Sequence, residues 1–241
     1  MKLIKNVIKR YLRKRGLKIT TRNYYQEKLE LAQYNWLKKQ NILTIIDVGA
    51  SDGGFAKKIR SIFPEAWIYS FEPLIESFEK LNKKFENDKR FSSFNIALTN
   101  NKGNILFYKN DHIGCSSLLE MRDLHKIAYP DSVNMEKIIV PCDTLDNIYD
   151  KLEINGHILL KIDVQGAEKI VLEGAEKLLS KVKIIFTEVN FNELYCGNVL
   201  FDDLSQYLFN KGFKIEGVEN VSQSLVNGSF LQADVYFKRI N

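Results

Sequence analysis

The chain has 241 residues, 45% hydrophobic and 27% charged, enough for one α/β domain with a substantial core and a modest extension. No run approaches the roughly 18 consecutive apolar residues of a membrane-spanning helix. Three scattered cysteines, Cys115, Cys142 and Cys196, argue against a disulfide frame or zinc cage and suit a reducing, cytoplasmic setting.

The net charge of +5 is uneven: residues 1–22 carry nine basic groups and no acid, which leaves −4 for the rest of the chain. An acidic body argues against a nucleic-acid groove. Within the arm, Leu3, Ile4, Val7, Ile8, Tyr11 and Leu12 recur at helical spacing, predicting a basic amphipathic helix that ends near Gly16. It lacks the continuous apolar segment of a signal peptide. Such a helix fits peripheral attachment to an anionic inner membrane face, or packing on the domain or on a second copy of the chain. A second helix is expected over Tyr25–Lys39, so residues 1–40 read as a helical extension and 41–241 as the domain.

Strand and helix signals then alternate: strand Leu43–Val48, helix Gly53–Ile62, strand Trp67–Phe71, helix Ile75–Phe85, strand Phe91–Ala97. The turn cluster Asn100–Asn104 and the strand-like Ile105–Tyr108 suggest a hairpin. Residues Asn110 to Met135 are irregular, with an amphipathic patch over Leu118–Ile127. Ile138–Pro141 reads as a short strand and Thr144–Leu152 as a short helix. Regularity returns with the apolar run Ile158–Asp163, a buried parallel strand, then helix Glu168–Leu179, strand Val182–Val189, helix Phe201–Lys211 and strand Phe213–Val218. A last strand, Asp234–Lys238, is expected antiparallel at or beside an edge. The pattern is a doubly wound, mostly parallel sheet with one antiparallel strand.

Ligands in such sheets sit beyond the carboxyl ends of the strands. The first strand ends in Asp47-Val48-Gly49-Ala50-Ser51-Asp52-Gly53, a glycine turn without the dinucleotide spacing G-x-G-x-x-G. Asp47 and Asp52 would repel a pyrophosphate but attract a cofactor bearing an ammonium and a sulfonium. At ~5 Å and an effective dielectric of about 20, each such contact is on the order of 3 kcal/mol before desolvation. The turn therefore favours S-adenosylmethionine over NAD, with Asp47 or Asp52 meeting the ammonium or holding the loop. The second strand ends in Glu72-Pro73, placing a carboxylate to accept from two ribose hydroxyls. The third ends at Asn95-Ile96-Ala97, where a small residue and backbone groups suit an adenine edge. Asp163 closes an apolar run, so it must face solvent or a ligand. Glu168 suits either a helix start or the site. Glu188 and Asn190 share a face of their strand. With Asp163 they form either a Mg²⁺ site, which is not favoured, or a set of hydrogen-bond partners for substrate hydroxyls.

The strings DVGASDGGF, FEP, KIDVQGAEKIVLEGAEKLL and TEVN resemble the FkbM family of S-adenosylmethionine-dependent methyltransferases over roughly Ile42–Val218. Ala97, Ser116-Ser117-Leu118 and Thr144-Leu145-Asp146 share the resemblance. It implies a class I methyltransferase (Rossmann-like) fold and methyl transfer to a hydroxyl, often on a sugar or glycoconjugate. Family members commonly carry Asn at the position of Ser51 and Glu at that of Gln165. Methyl transfer to oxygen is an in-line displacement in which alignment dominates and a positioned base adds about 10²–10⁴ in rate. Asp163, which is also a candidate to bind the cofactor, and His112 are the candidate bases, with Glu188 beside them. Residues 110–135 are expected to form part of a lid over the acceptor pocket. A nucleic-acid methyltransferase is disfavoured because the loop Asp163–Gly166 has neither proline nor aromatic residue to grip a flipped base. A catalytically silent cofactor-binding scaffold is the remaining alternative.

Overall fold

A computed structural model describes residue 32 and residues 34–132 and 134–240. The chain divides into two units between Gln40 and Asn41. In the first, Asn35–Lys38 forms one helical turn, closed by a Gln40 side-chain bond to the Trp36 carbonyl. The amphipathic arm of residues 1–22 and most of the helix expected over Tyr25–Lys39 lie outside the described residues.

The second unit begins with β1 (Ile42–Val48), α1 (Gly54–Ile62), β2 (Trp67–Phe71), α2 (Ile75–Phe85) and β3 (Phe91–Phe94). Next come β4 (Ala97–Leu98), β5 (Gly103–Asn110), α3 (Asp123–Ala128), β6 (Met135–Asp143), α4 (Leu145–Tyr149) and β7 (His157–Ile162). The chain finishes with α5 (Glu168–Glu173), α6 (Glu176–Leu179), β8 (Val182–Asn190), α7 (Phe201–Asn210), β9 (Phe213–Gln223) and β10 (Phe230–Arg239). Seven strands form one sheet in the order β3-β2-β1-β7-β8-β10-β9, and β4-β6-β5 form a second. This is the α/β class I methyltransferase-like arrangement: parallel strands, with β10 antiparallel to β8 and β9. The apolar runs of β1 and β7 are buried on both faces, as parallel strands covered on both sides must be. The chain winds outward in opposite directions from β1 and from β7, so the sheet's switch point lies between their tips.

Four local expectations change. The strand read as Phe91–Ala97 is two pieces, because the Asn95 amide turns inward and donates to the Glu72 and Pro73 carbonyls at 2.9 Å each. Ala97–Leu98 then pairs with Cys142–Asp143 in the second sheet. The predicted hairpin at Asn100–Asn104 is absent: β4 and β5 flank β6 on opposite sides rather than pairing with each other. The helix read as Glu168–Leu179 breaks at Gly174, where a Cβ would lie 2.0 Å from the Thr99 carbonyl oxygen. The Asp146 carboxylate accepts from the Lys177 and Leu178 N–H groups and starts α6 afresh. Finally, the hairpin β9–β10 is longer than the expected Phe213–Val218 and Asp234–Lys238, with β9 at the edge and β10 beside it.

Residues 110–135 are ordered around short turns: a 3-10 turn at Ile113–Cys115, α3, and another at Pro130–Ser132. Their backbone docks on residues 194–196 through Arg122 N–H to the Leu194 carbonyl (2.9 Å) and Cys196 N–H to that of Glu120 (2.7 Å).

Candidate active site

At the switch point the turn after β1 folds against β2 and β7. Gly49, Ser51 and Gly53 all take positive φ (72°, 50° and 83°). A side chain on Gly49 would place Cβ 1.9 Å from the Asp163 carbonyl oxygen, so only glycine lets the two strand tips approach this closely. Gly49 and Ala50 donate their N–H groups to the Phe71 carbonyl (3.1 and 3.0 Å), Ser51 donates to Glu72 Oε2 (2.8 Å), and Gly53 to the Ala50 carbonyl (2.9 Å). Those four donors are spent inside the protein, whereas a dinucleotide loop keeps its N–H groups for pyrophosphate.

Glu72 is the hinge of this arrangement. Its Oε2 holds Ser51 and its Oε1 accepts from Leu74 N–H at 2.9 Å, which leaves each oxygen a further lone pair. The carboxyl is 5% exposed, and burial pushes it above the ordinary glutamate range against the pull of those two N–H groups. It lines a cavity open to solvent, together with Gly49, Pro73, Ile96, Ala97 and Asp163. Phe71, Leu98, Phe107 and Leu118 make the rest of its wall largely apolar. Polar groups of Glu72, Ser51 and Asp163 thus stand beside a mostly apolar wall.

A second cavity of about 570 Å³ opens on the other side of the turn. Its wall is polar: Asp52, Lys161, Asp163, Glu188 and Asp234, with the rings of Phe55 and Phe186 stacked at 5.9 Å. Gly49, Ser51 and Asp163 line both cavities. Asp163 thus stands where they meet, its side chain 44% exposed and Oδ2 at 3.7 Å from Lys161 Nζ.

The expected residues divide accordingly. Glu72, Pro73, Ala97, Gly49, Ser51 and Asp163 line the first cavity; Ala50, Asp52 and Glu188 line the second. Of the two roles open to Asp47, the structure supplies the second, holding the loop. Asp47 is fully buried, lines neither cavity, and faces Lys161 Nζ at 3.2 Å. Lys161 Nζ also donates to the Gly49 carbonyl at 2.7 Å and that of Val48 at 3.2 Å, clamping β1 to β7. Burial works against the ammonium, but Asp47 and Asp163 outweigh it and hold it above the ordinary lysine range. Gly53 packs α1 on α2, where a Cβ would lie 2.6 Å from Leu81. Asn95 lines neither cavity and instead braces the Glu72-Pro73 backbone.

His112 lies elsewhere, in a third cavity with Cys115, Tyr129 and Ser132. Glu188 Oε1 is buried without a hydrogen-bond partner while Oε2 accepts from Gln232, and burial with Asp163, Glu168 and Asp234 nearby lifts the carboxyl well above its usual range. Glu168 turns inward to accept from Val164 and Gly166 N–H at 3.2 and 3.1 Å, and burial raises it to about 7. Among the described residues, no group of three or more His, Cys, Asp or Glu is placed to hold a metal ion.

Residues 47–215, which contain this entire turn and every residue lining the first cavity, match the Methyltransferase FkbM domain. The chain belongs to the FkbM methyltransferase family. The 2-O-methyltransferase NoeI of Sinorhizobium fredii is 27% identical over 161 residues, covering 64% of this chain and 66% of that protein. Solved structures similar to this FkbM domain include an rRNA methylase from Streptococcus thermophilus (TM-score 0.45, 9% identity, 87% of this chain and 95% of that one). Another is a Streptococcus mutans protein in complex with SAH (TM-score 0.46, 12% identity, 87% and 97%).

Three contributors to this FkbM site were missed in the sequence. Lys161 was legible: a lysine inside an apolar strand needs a buried acid, and Asp47 is its register partner on β1. Asp234 and Gln232 were not, since they arrive opposite Glu188 and Asn190 only through the antiparallel insertion of β10.

Proposed function

We propose that this chain transfers the methyl group of S-adenosylmethionine to a hydroxyl of a sugar or glycoconjugate. The observation that carries the reading is the meeting of two unlike cavities at Asp163, one largely apolar and one lined by charged side chains. When bound, S-adenosylmethionine supplies an electrophilic methyl on a sulfonium.

Glu72 would hold the ribose hydroxyls through its two free lone pairs, and the apolar wall from Ile96 to Leu98 would receive the adenine. Asp163, shared by both cavities, would accept the proton of the attacking hydroxyl. Lys161 keeps that carboxylate in place without entering the reaction, since Asp47 and two carbonyls already occupy its donors. Glu188, whose raised proton affinity and orphan oxygen suit a hydrogen-bonding group, would grip a neighbouring hydroxyl. The rings of Phe55 and Phe186 offer an apolar face to a pyranose. The 2-O-methyltransferase relative supports an oxygen acceptor.

The test is transfer of tritiated methyl from S-adenosylmethionine to a glycan fraction, with Asp163→Asn as the control. The expected product is an alkali-stable methyl ether, formed about 10²-fold or more slowly by the variant. Label released by mild alkali as methanol would mean carboxyl methylation, and absence of transfer to any fraction would leave only cofactor binding.

A further inference from the structure

A hydrogen-bonded chain leads from the half-exposed Asp163 into the interior and ends in the segment 110–135. Gln165 Nε2 donates to Asp163 Oδ1 at 2.9 Å, and Tyr195 Oη donates to Gln165 Oε1 at 2.9 Å. Tyr195 Oη lies 3.1 Å from His125 Nε2, and His125 Nδ1 lies 3.3 Å from Ser132 Oγ.

The chemistry of the groups fixes the direction of the chain. A carboxylate can only accept, so the Gln165 amide must present NH₂ to Asp163 and oxygen to Tyr195. Tyr195 has one hydroxyl proton and gives it to Gln165, so the His125 Nε2 contact is a hydrogen bond when Nε2 carries the imidazole proton. That is the neutral Nε2–H tautomer, and burial holds His125 neutral, down to about 4. The Ser132 hydroxyl is then shared between His125 Nδ1 and the Tyr129 carbonyl (2.7 Å). Tyr195 is 1% exposed and His125 2%, their rings 5.1 Å apart in an edge-on contact.

The loop backbone does not need this chain. Ser117 Oγ bonds the Gln165 carbonyl at 2.7 Å, and Glu168 takes the Val164 and Gly166 N–H groups. Gln165 itself sits at φ +57°, an uncommon conformation for a non-glycine residue. The Tyr195 hydroxyl therefore orients one thing, the Gln165 side chain.

We propose that Tyr195 and His125 are positioning residues that hold the Asp163 carboxylate in its aim between the two cavities by locking the Gln165 amide. The proposal rests on Asp163 belonging to the methyl-transfer site. It also gives Gln165 a task that a glutamate could not perform: an ionised carboxylate accepts from Tyr195 but cannot donate to Asp163.

Full-length protein carrying Tyr195→Phe, Gln165→Leu, both changes, or Gln165→Glu would be measured in two ways. The first is the NMR signal of the Gln165 side-chain amide, assigned by its loss in Gln165→Leu. The second is the Kd for S-adenosylhomocysteine. In Tyr195→Phe the amide signal is expected to move to free-amide shifts with fast exchange, while backbone signals remote from the loop stay unchanged. Affinity is expected to fall about 2–10-fold, the size of one hydrogen bond. Gln165→Leu should lose as much, and the double variant no more, because the two act through one link. An unchanged Gln165 amide in Tyr195→Phe, or losses that multiply in the double variant, would overturn the proposal. If Tyr195→Phe does not fold, Gln165→Glu at its half-buried position decides: affinity equal to wild type overturns the proposal, and the loss seen in Gln165→Leu supports it. A wild-type chain that fails to bind S-adenosylhomocysteine would refute the cofactor reading, while the amide signal would still decide the link.

Discussion

Lys161 and Asp47 are a buried ion pair at the centre of the sheet, 3.2 Å apart, and neither charge reaches solvent. Removing one partner leaves the other uncompensated, so Lys161→Met should cost about 3–5 kcal/mol in urea unfolding. The double variant Lys161→Met with Asp47→Leu should recover most of that loss; additive losses would contradict the pairing. Glu168 gives a pH-dependent prediction with a definite sign. Its folded value of about 7 lies above the ordinary 4.5, so the folded state binds more protons between them and stability falls as pH rises through that window. The contribution is about 3 kcal/mol. Compared with wild type, Glu168→Gln should gain stability progressively from pH 4.5 to 7, read as a growing difference between two denaturation curves. Parallel curves would show that Glu168 is not buried as described.

At the scale of elements, the breaks matter more than the runs. Asp146 reaches across to cap α6, accepting from two successive backbone N–H groups. Asp146→Ala should lower stability by about 1–2 kcal/mol, as loss of a helix cap does, and leave S-adenosylhomocysteine affinity unchanged. A matching loss of affinity would mean that α6 supports the site as well as the fold. The same breaks mark where sequence reading stops. The strands β1, β2 and β7 and the helices α1 and α2 were legible because apolar period and glycine turns are local signals. Gly49, Glu72 and Asp163 followed, since strand tips are identifiable once strands are. The division of α5 from α6 was not legible: the Gly174 carbonyl accepts from Asp146 N–H and the Asp146 carboxylate caps α6, contacts that only the fold brings together. The second sheet escaped for the same reason, as β5 pairs with β6 across the irregular segment rather than with β4 just before it. Asn95 and Asp47 were recognised as polar residues in telling places. Their side chains serve the backbone and a lysine, and nothing local distinguishes that from serving a ligand.

For the whole molecule, the core and the site share one seam, the β1–β7 junction, so occupancy of the site must feed into stability. A ligand at 100 times its Kd raises unfolding free energy by about 2.7 kcal/mol. Beside that seam, Glu72 joins the glycine turn, the β2 tip and the first cavity. The most direct measurement is titration calorimetry of the full-length protein with S-adenosylhomocysteine, with Glu72→Gln in parallel. The amide in that variant would keep the side-chain length but could no longer offer acceptors to Ser51, Leu74 and two ribose hydroxyls together. The account predicts one site on the wild-type chain and affinity at least about 10-fold weaker in the variant. No binding by the wild-type protein, or equal binding by both, would contradict it.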